Sequence, residues 1–321
     1  MRMRRKWRSS VLLFVLLAVA WPAAGAEPVR FNVMALPGTT GLSLVKVFAD
    51  RPDLGPGIAA EYSVVKTPEQ IMAKIIAGEA DVAAVPTNTA AILYNKGVAV
   101  RLAAITNWGV TYLVGPRGAI SSWRDLRGRE VALTGRGATP DILFRHFAKV
   151  NGLDPDKDLR IQYFASAVEL AQLLAAGRVA FAVLPEPWVT EALRLEPALE
   201  VLLDFQAEWR RLEKSRESYP QSCLVVRTRF AGEHPQAVAA LLKQAALSSE
   251  WVNANPREAG RLAQEHVQIP AETAAAAIPR CNLRFSEAGK VANEVDAYLR
   301  KLFAIDPQSV GGKIPDAGFY L

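Results

Sequence analysis

Histidine and cysteine are scarce, with three His and two Cys in 321 residues. His146, His234 and His266 lie far apart, each in a helical, largely amphipathic stretch. None has the i, i+4 spacing of a helical zinc pair, and Cys223 and Cys281 form no C-x-x-C. There is no Gly-x-Ser-x-Gly elbow and no glycine-rich dinucleotide fingerprint. These absences predict no metal site and no cofactor, and they set catalysis well below binding. Low-complexity sequence and long linkers are missing too. The one long apolar run, Val11 to Ala20, is too short for a membrane span of roughly 20 residues. Fifty-seven residues lie between the two cysteines, and spacing alone leaves a disulfide and two buried thiols equally open.

That apolar run follows Arg2, Arg4, Arg5, Lys6 and Arg8 and precedes Ala24-Gly25-Ala26, the order of an export signal over residues 1–26. A leader of this kind predicts a mature start at Glu27 and export to the periplasm. It also removes most of the net charge of +6. The leader holds five basic and no acidic residues, which leaves 33 basic against 32 acidic. So near-neutral a chain gives no reason to expect nucleic acid or an anionic membrane as partner. Its 295 residues suffice for two cores.

An internal repeat organises those residues. Shifted by 99 positions, Gly38 falls on Gly137, Thr40 on Thr139, Leu44 on Leu143 and Phe48 on Phe147. The same offset carries Gln70 to Glu169, Gly78 to Gly177 and Pro86 to Pro185. Each copy reads as strand, Gly-containing turn, helix, strand, helix and strand. Thr67 and Ser166 are set as N-caps, Gly78 and Gly177 as helix stops. Such alternation predicts parallel sheets covered on both faces. Leu199 to Leu203 and Cys223 to Arg227 read as further strands, and from Pro235 to about Phe303 the pattern is almost wholly helical. Tyr112–Pro116 and Tyr219–Leu224 are the candidate segments crossing between two lobes.

Thr67-Pro68-Glu69-Gln70, Gly78-Glu79-Ala80-Asp81-Val82-Ala83, Asp125-Leu126-Arg127-Gly128 and Leu184-Pro185-Glu186-Pro187 occur in order along the chain. Together they resemble the solute-binding proteins of ABC importers, in the nitrate/sulfonate/taurine (NitT/TauT-like) group that also contains hydroxymethylpyrimidine and riboflavin binders. The resemblance runs from about Val29 to Gly318. It implies an α/β fold of the type II periplasmic-binding-protein kind, two parallel-sheet lobes joined by a hinge. Lobe 1 would comprise 27–113 and 222–321, and lobe 2 would be 114–221, with the hinge near 112–116 and 219–224. It also implies a monomer that delivers a small molecule to the transmembrane permease subunits. It does not name the solute.

Ligands of open α/β sheets bind beyond the carboxyl ends of the strands, where helix N-termini present free N–H groups. The repeat supplies four such turns. They offer Leu36, Thr39 and Thr40; Thr87 and Asn88; Arg136 and Thr139; and Glu186 and Trp188 as ligand-binding candidates. Thr39, Thr40, Asn88 and Thr139 also suit plain N-caps, and Arg136 a solvated charge. Glu186 stands where the first copy has Thr87, and Glu is not a favoured N-cap. Its carboxylate serves either the helix dipole or an N–H or O–H of the ligand. Trp108, Tyr112 and Gln221 join the set beside the crossings. Trp108 and Trp188 are read either as core or as rings that stack on a planar ligand. Stacking rings, one carboxylate and neutral polar groups favour an aromatic or nitrogen-bearing organic solute, held by hinge closure. The alternatives are a small sulfonate- or nitrate-type anion, or a periplasmic enzyme or sensor on the same scaffold.

Overall fold

The structure, a computed structural model, describes residues 29–321; the leader read over 1–26 lies outside them. Eleven strands follow in chain order. They are β1 (Val29–Ala35), β2 (Ile58–Val64), β3 (Val82–Pro86), β4 (Val100–Trp108), β5 (Thr111–Pro116) and β6 (Glu130–Thr134). Then come β7 (Arg160–Phe164), β8 (Ala182–Pro185), β9 (Leu199–Asp204), β10 (Pro220–Arg227) and β11 (Leu283–Glu287). They form two sheets, ordered β11-β4-β10-β3-β1-β2 and β7-β6-β8-β5-β9.

The repeat is visible in this order. Setting aside β11, the first sheet reads 2-1-3-10-4 and the second 7-6-8-5-9, so β1 to β4 match β6 to β9. The 99-residue offset therefore extends one strand further than the sequence pattern, from Val100 to Leu199. Local signals hold in both copies. Thr67 accepts from the Gln70 N–H at 3.3 Å and Ser166 from the Glu169 N–H at 3.5 Å. Gly78 and Gly177 close their helices with φ of 79° and 68°.

The repeat strands are parallel, β1 with β2 and β3, β6 with β7 and β8. β5 and β10 run antiparallel to both neighbours, so each sheet is mixed rather than wholly parallel. The reason lies in the crossings. The chain leaves the first sheet at the carboxyl end of β4, so β5 must start at the cleft side and run away from it. β10, whose Pro220 pairs with Trp108, does the same on return.

The chain changes sheet between Trp108 and Thr111, and Tyr112–Pro116 lies inside β5. Tyr219 immediately precedes β10, which already includes Leu224. The Gly109 N–H donates to the Tyr219 carbonyl at 2.9 Å, tying the two crossings together. Gly109 has φ +46°, and a Cβ there would stand 2.2 Å from Ser218 Oγ, so only glycine fits.

Two further features depart from the sequence pattern. Leu283–Glu287 interrupts the helical tail as a strand on the free edge of β4. Leu283 and Phe285 alternate with Arg284 and Ser286 there, a short period-2 signal flanked by long helices. The first-copy helix is also broken into Thr39–Leu42 and Val45–Asp50, whereas the second copy runs unbroken from Thr139 to Val150. Hydroxyls in the first copy bond back to carbonyls, Thr40 to Leu36 and Ser43 to Thr40, both at 2.8 Å, and compete with the helix ladder.

An apolar cluster runs from Val85 and Ile105 of the first sheet through Tyr219 and Tyr298 to Phe144 and Phe205 beside the second. It binds the lobes on the side of the helix Ala292–Ile305.

Candidate functional site

The four turns meet in two pairs across the cleft. Gly38 faces Pro187, close enough that a Cβ on Gly38 would lie 3.9 Å from Pro187 Cδ. The Thr139 hydroxyl donates to Asn88 Oδ1 at 3.2 Å and lies 3.3 Å from the Tyr298 hydroxyl. Burial raises the Tyr298 phenol above its ordinary range, so it remains a proton donor. Under the 99-residue shift Gly38 becomes Gly137, Thr40 becomes Thr139 and Asn88 becomes Pro187. Each contact thus joins the turn before the first helix of one copy to the turn after the third strand of the other, through different residues of those turns.

The other candidates divide into groups already engaged and groups still free. Thr40 spends its hydroxyl on the Leu36 carbonyl, and Leu36 and Thr39 are buried. Arg136 is exposed, its guanidinium 4.9 Å from the Tyr163 ring centre. The buried Asp141 accepts from the Gly137 N–H at 2.8 Å and from Arg145 and the Tyr163 hydroxyl. That carboxylate occupies an anion's natural place at this helix N-terminus. Trp108 donates Nε1–H to the Arg284 carbonyl at 3.2 Å, while the Arg284 guanidinium covers its ring at 4.3 Å. It lines a cavity of 290 Å³ with Arg210, Arg216 and Asn282 beside the crossings. Trp188 is buried at the start of its helix. Tyr112 is buried in β5, where desolvation first, then Asp204 and Glu186, raises its phenol.

Glu186 is 1 % exposed. Its Oε2 accepts from the Thr190 N–H at 3.1 Å and the Thr190 hydroxyl at 2.8 Å. Its Oε1 accepts from Arg280 Nε at 2.6 Å, and Arg280 Nη2 donates to the Thr190 hydroxyl at 2.7 Å. The carboxylate that the sequence offers to a ligand or a helix dipole is thus held by an arginine 94 residues away. Sequence reasoning missed Arg280; a single Arg after an alanine-rich helix carries no signal of its partner.

Groups without a protein partner gather at the carboxyl ends of β3 and β4. Thr87 is fully buried, its hydroxyl beside the Cys223 thiol and without an oxygen or nitrogen partner. Gln221 Oε1 is unpartnered, and so are both amide atoms of Asn107. Ser222, next to Gln221, pairs with Asn107 on one side and with Pro86, next to Thr87, on the other. A buried polar group left unpaired costs about 1–3 kcal/mol, so this cluster is costly unless something bonds to it. Asn107 was missed as well. Its only sequence signal is a polar Thr-Asn pair ending an apolar strand.

Both cysteines are buried free thiols, raised by burial. Among the described residues no group of three His, Cys, Asp or Glu is placed to hold a metal.

Comparison with known proteins adds to this geometry. Residues 53–262 match the family model described as ABC transporter, phosphonate, periplasmic substrate-binding protein. Comparison with curated protein sequences returned no match. An ABC transporter structure from Parabacteroides distasonis is similar at 27% identity and TM-score 0.77, covering 91% of this chain and 98% of that one. The periplasmic aliphatic sulphonate binding protein of Escherichia coli shares the fold at 14% identity and TM-score 0.72, with 90% and 93% covered. The periplasmic nitrate-binding protein of Synechocystis PCC 6803 does so at 16% identity and TM-score 0.61, with 77% and 69% covered.

Proposed function

Because the chain belongs to the phosphonate family of ABC-transporter periplasmic substrate-binding proteins, we propose that it takes up a small polar organic solute by hinge closure. It is the substrate-binding component of an importer, and its family and structural neighbours are binding proteins. The solute enters between the lobes, and closure brings Gly38 to Pro187 and Asn88 to Thr139. A ligand that touches both lobes shifts the open–closed population by its extra affinity for the closed form. The permease then receives it from the closed surface. We read the protein as a monomer and a binder rather than an enzyme, with lobe 2 inserted into lobe 1 near the crossings described above.

The observation that carries the solute class is the unpartnered set at Thr87, Asn107 and Gln221. These are neutral hydroxyl and amide groups, able both to give and to accept hydrogen bonds. They suit a solute with N–H or O–H donors and carbonyl or ring-nitrogen acceptors, such as a nitrogen heterocycle. Two facts weigh against a bare anion. Arg280 is neutralised by Glu186, and Asp141 occupies the helix N-terminus of the second lobe. Stacking on Trp108 loses support, because Arg284 already covers that ring.

Mass spectrometry of what is released on mild unfolding of protein from its native host tests this directly. A thermal-shift panel should contrast neutral heterocycles with sulfonates, phosphonates and nitrate. A ligand at about 100 times its dissociation constant adds roughly 2.7 kcal/mol. A clear shift by a sulfonate or phosphonate alone would overturn the solute class.

A further inference from the structure

On the side of the cleft away from the helix Ala292–Ile305, the helix Trp188–Leu195 packs on the helix Ala271–Ala277, which leads into the turn Ile278–Arg280. Polar contacts cross this face. Arg280 reaches Glu186 at 2.6 Å and the Thr190 hydroxyl at 2.7 Å. The Thr273 hydroxyl donates to Glu191, and Arg194 pairs with Glu272. These contacts are not equal. The Glu272 side chain is 82% exposed, so its pair with Arg194 is weak and screened. The Glu186 side chain is 0% exposed, and its cation comes from the other lobe.

Opening the lobes would separate Glu186 from Arg280. The carboxylate would keep only the Thr190 N–H and hydroxyl, groups of its own lobe, and Arg280 would lose the partner the closed form gives it. The Arg280 side chain is 41% exposed even in the pair, so opening returns both charges to water, and the latch is worth the excess of its charge-assisted bonds over that hydration. Elsewhere across the cleft, Asn88 against Thr139 adds one neutral bond.

We propose that Glu186, Thr190 and Arg280 form an interlobe latch that keeps the lobes together before any solute arrives. The inference rests on the capture reading and deepens it. Solute must enter through the open fraction, so the latch slows association by reducing that fraction. It acts on the empty and the loaded closed forms alike, so it slows release as well. It therefore sets the tempo of exchange, while the cleft groups set which solute is held.

Small-angle scattering of ligand-free protein tests this. The unchanged protein should be compact, and Arg280→Gln and Glu186→Gln should each raise the radius of gyration. Arg280→Lys, which keeps a cation for Glu186, should remain closer to the unchanged protein than Arg280→Gln. The proposal fails if ligand-free protein is already open. It also fails if either glutamine variant, folded by circular dichroism, scatters like the parent. Because no solute enters the measurement, the outcome is separate from the capture reading, which falls instead if no small molecule is released or shifts the melt.

Discussion

Asn107→Leu should stabilise the ligand-free protein while weakening its grip on solute. Asn107 is fully buried near the end of β4, and neither amide atom has a hydrogen-bond partner. Each unpaired group costs about 1–3 kcal/mol, and an apolar residue of similar shape removes that cost. Allowing for the tighter fit of leucine, the net gain is about 1–3 kcal/mol. At roughly 2 °C per kcal/mol for a chain of this size, melting should rise by roughly 2–6 °C. With saturating solute that advantage should largely disappear. Two lost bonds at about 0.5–1.5 kcal/mol each weaken binding by roughly 5-fold to 150-fold. Calorimetric melts of both proteins, with and without the identified solute, measure both effects. A fall in ligand-free melting temperature, with an unaltered response to solute, would show that Asn107 is an ordinary part of the core.

Thr139→Val removes the bond to Asn88 and the contact with Tyr298, and should cost about 0.5–1.5 kcal/mol in urea denaturation. Thr67→Ala should cost about 1 kcal/mol, and Ser166→Ala less, because its capping contact is longer, 3.5 Å against 3.3 Å. Equal losses in urea denaturation would contradict the ranking. Burial, then Lys301, pushes the His146 imidazole below its ordinary value of 6.5, and Glu213 opposes this. The unfolded chain thus takes up the proton first, so this contribution is present above about pH 6.5 and is lost as pH falls toward the folded value. His146→Gln should flatten that part of a melting-temperature profile; an unchanged slope would clear His146 of the effect.

What could be read from the chain was its periodicity. Thr67, Ser166, Gly78 and Gly177 act within a few residues of themselves, so their capping roles follow from local chemistry. The 99-residue offset located all four turns because a repeated layout repeats its strand ends. Other features depend on partners distant in the chain. Thr139 and Asn88 meet only because turns of the two sheets face each other, and nothing near Glu186 announces Arg280. Strand direction in β5 and β10 follows from where the chain crosses, which apolar patterning does not encode. Trp108 could be seen to be aromatic and near a crossing, but not that Arg284 covers its ring.

Gly38 approaches Pro187 and Thr139 bonds to Asn88, so equivalent turns of the two copies meet through different residues. The chain carries two copies of one layout within a single polypeptide. A true two-fold dimer must put the same side chain on both jaws, so it can grip only a symmetric object equally well. A single polypeptide is free of that restriction: one jaw point is glycine against proline, the other threonine against asparagine. Thr87 and Glu186, equivalent in the layout, have likewise parted into a cleft hydroxyl and a carboxylate bound to Arg280. Under the proposed capture, that difference gives the mouth a direction, so an unsymmetrical solute would be gripped in one orientation.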